Sequence, residues 1–211
     1  SRTNYRRKQE LFNSLESLCL VTPSSWLAEL VGESHLSQHP VQVINTGVDL
    51  GVFRPVPSGL RSRYFLQNKH VVLGVAPRFS YRKGFGNFIE LAALMGDDEV
   101  IVLVGVSETQ KAGLPDNVIG ITHLDDVSQL PSIYSDADVF VNLTLEDTFP
   151  TVNLEALACG VPVITFRSGG SGEAVDASTG YVVPRGDVAG VKASITALRR
   201  RDRAGLRQAC V

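Results

Sequence analysis

From residue 70 onward, short β-rich runs alternate with helical patterns, and this alternation constrains the fold more than any other feature. The strand candidates are "HVVLGVA" (70–76), "EVIVLVGV" (99–106), "NVIGITH" (117–123), "DVFVNLT" (138–144), "VPVITF" (161–166) and "GYVVP" (180–184). Most are apolar at successive positions, so both faces must be covered, as in a parallel strand. Between them "FGNFIELAALMG", "DVSQLPSIYSDA" and "PTVNLEALACG" carry helical spacing, and "DVAGVKASITALRRR" follows the last strand. Parallel strands joined by helices demand right-handed crossovers. The expected class is therefore α/β, with a doubly wound parallel sheet. In such sheets ligands bind beyond the C-terminal strand ends, so the informative residues should lie just after strands.

The first forty residues break this rhythm. "YRRKQELFNSLESL" reads as an amphipathic helix, "CLVT" as a short strand, and "PSSWLAELV" as a helix begun by Pro23 with Ser24 or Ser25 at its cap. Residues 1–40 are expected to be the tail of a preceding domain and residues 41–211 an intact unit. Among 211 residues, 44% are hydrophobic and 20% charged, with a formal net charge of −2. That balance gives no reason to expect a nucleic-acid partner. The basic "RTNYRRK" reads as a solvated helix face, and no apolar run is long enough for a transmembrane segment. Cys19, Cys159 and Cys210 form no C-x-x-C pair, which suits a reduced, cytoplasmic setting. The four scattered histidines show no ligand spacing, so no metal site is expected.

Two stretches after strands carry chemistry. "APRFSYRKGF" places Arg78, Arg82 and Lys83 in one loop, closed by Gly84 at the mouth of a helix. A strand end, a helix start and fixed cations make an anion site. In "LEDTFPTVNLEALACG", Pro150 suits a first helical turn, with Thr148 or Phe149 in the cap region. The amides from Phe149 to Val152 would then be open donors for phosphate or sugar oxygens. Glu155 lies about 7–8 Å further along the axis and leans back toward the helix start. There it can accept from a vicinal diol, as carboxylates hold ribose in dinucleotide folds. A Glu in so apolar a helix needs a partner. Asp147, just before the helix, can accept from a sugar hydroxyl.

Several separated motifs agree in order with one known family. "NTGVDLGVF", the Arg78-to-Lys83 loop, "YSDADVFVN", "LEDTFPTVNLEALACGVPVITF" and "SGGSGE" resemble retaining glycosyltransferases of family four (group 1) over residues 41–200. The resemblance implies a GT-B fold of two facing Rossmann-like domains, this chain carrying the C-terminal, donor-binding half and residues 1–40 ending the acceptor-side half. Arg78 and Lys83 match the cations that neutralise the donor diphosphate. Asp147 and Glu155 match the paired carboxylates of an E-x7-E motif, the second holding ribose. Phe149, Pro150, Thr151 and Val152 match the helix-start amides, although Pro150 has no N–H. Asp147 is one methylene shorter than the family's Glu, and Glu146 stands beside it. "THLDDVSQLPSIY" follows a strand, where it would either hold the base through backbone atoms around His123 and Leu124 or be a plain βα-loop. Gly169 and Gly170 match a Gly-Gly-x-x-Glu turn serving backbone geometry, with Glu173 steadying the mouth, while Asn45 and Asp49 read as turn formers.

The implied activity is hexosyl transfer from a nucleoside diphosphate sugar to an acceptor hydroxyl with retention, in polysaccharide or glycoconjugate synthesis. Arg78, Lys83 and Asp147 would be the catalytic set, with no cofactor beyond the nucleotide-sugar substrate. A carbohydrate or lipid-linked acceptor would be bound by the other domain, which could also touch a membrane. A nucleotide-sugar epimerase of the same architecture and a non-enzymatic nucleotide-binding module are the alternatives.

Overall fold

The computed structural model describes residues 2–124 and 126–210. The chain divides into two compact units, Ser1–Thr46 and Gly47–Val211. In the first unit, helix α1 (Arg2–Asn13) buries no residue. Strand β1 (Leu20–Thr22) leads to helix α2 (Ser25–Gly32), whose cap Ser24 accepts a hydrogen bond from the Leu27 amide. Strand β2 (Val41–Val43) returns parallel to β1, pairing Leu20 with Val41. The unit boundary thus falls after Thr46, not after residue 40. The ladder partner of "VQV" lies upstream, in β1.

The second unit holds a parallel six-stranded sheet. Its strands are β3 (His70–Val75), β4 (Glu99–Val104), β5 (Val118–Ile121), β6 (Val139–Asn142), β7 (Val163–Arg167) and β8 (Gly180–Pro184). The spatial order is β5-β4-β3-β6-β7-β8, with every neighbouring pair parallel. The expected doubly wound α/β class is what forms. Helices α4 (Phe85–Ala92) and α8 (Val188–Arg199) pack Phe88, Leu91, Val191 and Ile195 onto one face. Helices α3 (Leu60–Arg63), α6 (Leu130–Asp136) and α7 (Thr151–Ala158) pack Leu60, Tyr134, Ala156 and Leu157 onto the other. Both faces are covered, which is why β4 and β6 are buried at every position.

Two short helices were not anticipated. One is α3. The other is α5 (Glu108–Ala112), opened by a capping box in which Ser107 and Gln110 bond each other's backbone amides. Last comes α9 (Arg203–Cys210), whose Leu206 joins the core.

The strand starts are tied together by Asp138. Its Oδ2 accepts from the Val71 amide at 2.7 Å and from Arg61 Nη2 at 2.7 Å. Its Oδ1 faces Arg203 Nη2 at 2.8 Å. One carboxylate therefore links β3, β6, α3 and α9.

Candidate functional site

The order of strands decides where a crevice opens. The chain winds outward from β3 to β5, then returns to β6 and winds the other way. The segments leaving β3 and β6 are neighbours but turn to opposite faces of the sheet, α4 on one and α7 on the other. A gap is left between them.

Gly84 brings the two walls together. It caps α4 with φ +73°, and a Cβ there would lie 2.0 Å from the Leu143 carbonyl oxygen. Only glycine combines that backbone with so close an approach. The Leu145 amide donates to the Arg82 carbonyl at 2.8 Å, stitching the β3 exit to the β6 exit. Lys83 is thereby held at the mouth, where its Nζ meets Asp147 Oδ2 at 2.6 Å. Both side chains are mostly withdrawn from water, at 24% and 17% exposure. The neighbouring Glu146 points to solvent. Of the two adjacent carboxylates, Asp147 is the one the fold turns onto the lysine.

Asp147 is fixed through its backbone. Gly170 donates its amide to the Asp147 carbonyl at 3.0 Å. Gly169, at φ +58°, passes so close that a Cβ would sit 2.0 Å from the same oxygen. This geometric role agrees with the reading of the Gly-Gly turn. Gly169→Ala is expected to lose about 1–2 kcal/mol from the left-handed backbone alone, and to displace Asp147. Thermal melts and nucleotide titrations should both show the loss; an unchanged melting temperature would contradict it.

Asn153, an oddity in an apolar helix, has a structural explanation. It is fully buried, accepts from Asn142 Nδ2 at 2.9 Å, and donates to the Ser171 carbonyl at 2.9 Å. It thus locks α7 to the end of β6 and to the glycine turn.

Helix α7 begins one residue later than expected. Pro150, with extended backbone (φ −71°, ψ 115°), is the cap residue itself, and Thr151 opens the helix. The open first-turn donors are therefore the Thr151 and Val152 amides, since the Asn153 amide already bonds the Pro150 carbonyl at 3.2 Å. Phe149 and Pro150 are buried and shape the approach to the helix.

Glu155 has the partner that its apolar surroundings require. Tyr134 of α6 donates its hydroxyl to Glu155 Oε2 at 2.9 Å, and Thr151 donates to Oε1 at 3.1 Å. Burial, reinforced by the Glu155 charge, holds the Tyr134 phenol well above its ordinary pKa, so it stays a donor. Each carboxylate oxygen keeps lone-pair capacity for a further hydroxyl. Tyr134 lies in the "YSDADVFVN" motif, but nothing in its spacing pointed to Glu155. One turn further, burial and the Glu155 charge push the Cys159 thiol up to about 11, an unreactive state.

Arg78 and Arg82 are exposed on the β3–α4 loop, with Tyr81 85% exposed between them. His123 and Leu124 follow β5 and line a separate pocket of about 340 Å³, together with Gln129, Ser132 and Tyr64. The structure therefore joins Lys83 to Asp147, sets Glu155 one turn into α7, leaves Arg78 on the Lys83 loop, and puts His123 and Leu124 in a cavity of their own.

Residues 60–210 match the family of glycosyl transferases group 1. A D-inositol 3-phosphate glycosyltransferase of Mycobacterium sp. strain KMS is 29% identical over 202 residues, covering 87% of this chain. The chain spans about half the length of the curated relatives it matches, 46% in that case. Among solved structures, sucrose-phosphate synthase from Thermosynechococcus elongatus superposes with a TM-score of 0.82 at 23% identity, over 100% of this chain and 55% of the other. Anabaena Alr3699/HepE, solved with UDP-glucose, superposes at 0.78 and 24% identity, over 100% of this chain and 61% of the other.

Proposed function

Because the chain belongs to the glycosyl transferases of group 1, we propose that it carries the donor site of an enzyme moving a hexosyl group from a nucleoside diphosphate sugar to an acceptor hydroxyl, with retention. The observation that carries this is the Lys83–Asp147 pair at the mouth of α7, with Glu155 one turn behind it. A cation, two open amides and two carboxylates in one crevice match a ligand bearing both phosphates and hydroxyls.

Lys83, Arg78 and the Thr151 and Val152 amides meet the diphosphate and stabilise the charge that grows on it as the glycosidic bond breaks. Lys83 then exchanges Asp147 for phosphate oxygens, which frees the carboxylate to accept from the donor sugar. Glu155, steadied by Tyr134 and Thr151, accepts from the ribose diol. The pocket at His123 and Leu124 takes the base. With Asp147 turned to hydroxyls and Cys159 inert, the crevice supplies no covalent nucleophile. That supports attack by the acceptor on the face from which the diphosphate leaves. The acceptor, carbohydrate or lipid-linked, belongs to the other half of such an enzyme, which would work in the cytoplasm in polysaccharide or glycoconjugate synthesis.

Calorimetric titration with UDP-, GDP- and ADP-sugars tests the reading. UDP-glucose comes first because the Anabaena protein was solved with it. Wild type should prefer ribo- over 2′-deoxynucleotides. Glu155→Gln should weaken ribonucleotide binding by about tenfold, a charged hydrogen bond's worth, and erase the preference. A wild type that does not distinguish the two sugars would remove Glu155 from the ribose.

A further inference from the structure

A second pocket lies at the opposite pole of the sheet, under the starts of the central strands β3, β6 and β7. It encloses about 240 Å³. Arg199, Arg201, Arg203 and Arg207 line it, with Asp138 the one acidic group on its wall. Leu198, Leu206 and Pro162 give it an apolar floor.

Four guanidiniums around one carboxylate are not a balanced network. Asp138 is already shared by Arg61 and Arg203, and Arg199 reaches out to the exposed Asp98. Arg201 donates to the carbonyls of Ala177 and Ser178, and Arg207 to those of Ser135 and Ala137. Neither has a carboxylate within ion-pair distance among the described residues. Carbonyls satisfy their N–H groups but not their charge. Burial, and then the like charge of Arg203, draw the Arg207 guanidinium below its ordinary pKa, against the opposing pull of Asp138 and Asp136.

His70 lines the pocket, and its Nε2 is buried without a hydrogen-bond partner among the described residues. Its other ring nitrogen, Nδ1, faces Asp138 Oδ2 at 3.6 Å. An anion accepting from the arginines would supply the counter-charge that the carbonyls do not.

We propose that this pocket is a binding site for a phosphate monoester on a small molecule, remote from the donor crevice. The guanidinium forks suit a tetrahedral dianion, and the apolar floor suits a short carbon skeleton attached to it. The ligand would brace α8 and α9 against the strand starts. The proposal does not depend on the function assigned to the crevice.

Titration with inorganic phosphate and with glycerol phosphate, at ionic strength fixed with chloride, tests it. Arginine Nε–H NMR signals provide the readout. Saturable shifts at Arg199, Arg201, Arg203 and Arg207 are expected, and UDP should not displace the ligand. Arg201→Gln should weaken binding about tenfold, the loss of one charged hydrogen-bonding partner. Arg200→Gln removes the same charge from an adjacent exposed residue outside the pocket and should leave affinity nearly unchanged. Thermal melts establish that both variants fold. Cosedimentation with phosphatidylcholine vesicles containing phosphatidic acid is the companion measurement. Arg201-dependent capture there would identify the monoester as a lipid headgroup, and its absence a soluble ligand. Equal losses in the two variants, displacement by UDP, or no saturable shift would overturn the proposal.

Discussion

Replacing Lys83 with alanine should weaken nucleoside diphosphate binding ten- to a hundredfold while barely changing nucleoside binding. A charge-assisted bond is worth about 1.5–3 kcal/mol, which gives that range. The ion pair adds a second reason. Lys83 lies 2.6 Å from Asp147, so its removal leaves a half-buried carboxylate facing the incoming phosphates. Part of the loss is therefore repulsion, and Lys83→Ala with Asp147→Asn should bind the diphosphate better than Lys83→Ala alone. A double-mutant cycle followed by calorimetry separates the two contributions. Equal loss for a nucleoside and its diphosphate would show that the lysine does not address phosphate.

Asp138→Ala should cost about 3–5 kcal/mol of stability, the usual consequence of removing one member of a buried ion pair. The change strands the Val71 amide and the Arg61 guanidinium, while Arg203, 61% exposed, regains water. Asp138→Asn keeps an acceptor for Val71 and should lose less. Acid should sharpen the defect. Burial holds the His70 pKa below its ordinary value, with Arg199 and Arg203 lowering it further and Asp138 and Glu99 opposing. As pH falls below about 6.5 the unfolded chain takes up a proton that the folded chain resists, so stability declines. Without Asp138 the imidazolium is disfavoured more, and the decline should steepen. Urea melts between neutral and mildly acidic pH measure both effects. A variant within about 1 kcal/mol of wild type, below the usual cost of a lost hydrogen-bonded charge, would show that Asp138 is not the tie at the strand starts.

The sheet was legible because most of its strands are apolar on two sides, the pattern a covered parallel strand requires. All six strand candidates of the second unit are strands, and the chemistry-bearing loops follow β3 and β6 as the winding rule expects. What escaped was of another kind. The Tyr134–Glu155 and Lys83–Asp147 contacts join residues far apart in sequence, and no local period encodes such pairs. Pro150 sits one position earlier relative to its helix than read, because proline's fixed φ suits both a cap and a first turn. Residues 41–43 fall in the first unit because a strand's own residues do not name its neighbour. The two bonds of Asn153 depend on where β6 and the glycine turn arrive.

The Lys83–Asp147 pair sets a threshold for any ligand. Its two charges cancel, so a lone chloride or bicarbonate gains little by parting the two side chains. A diphosphate carries more than one formal charge and can engage lysine and helix amides together. If hydroxyls come with it, the displaced aspartate finds new donors at once. On the proposed function, the crevice would discriminate by what must arrive simultaneously: charge for the lysine and hydroxyls for the acid, on a single molecule.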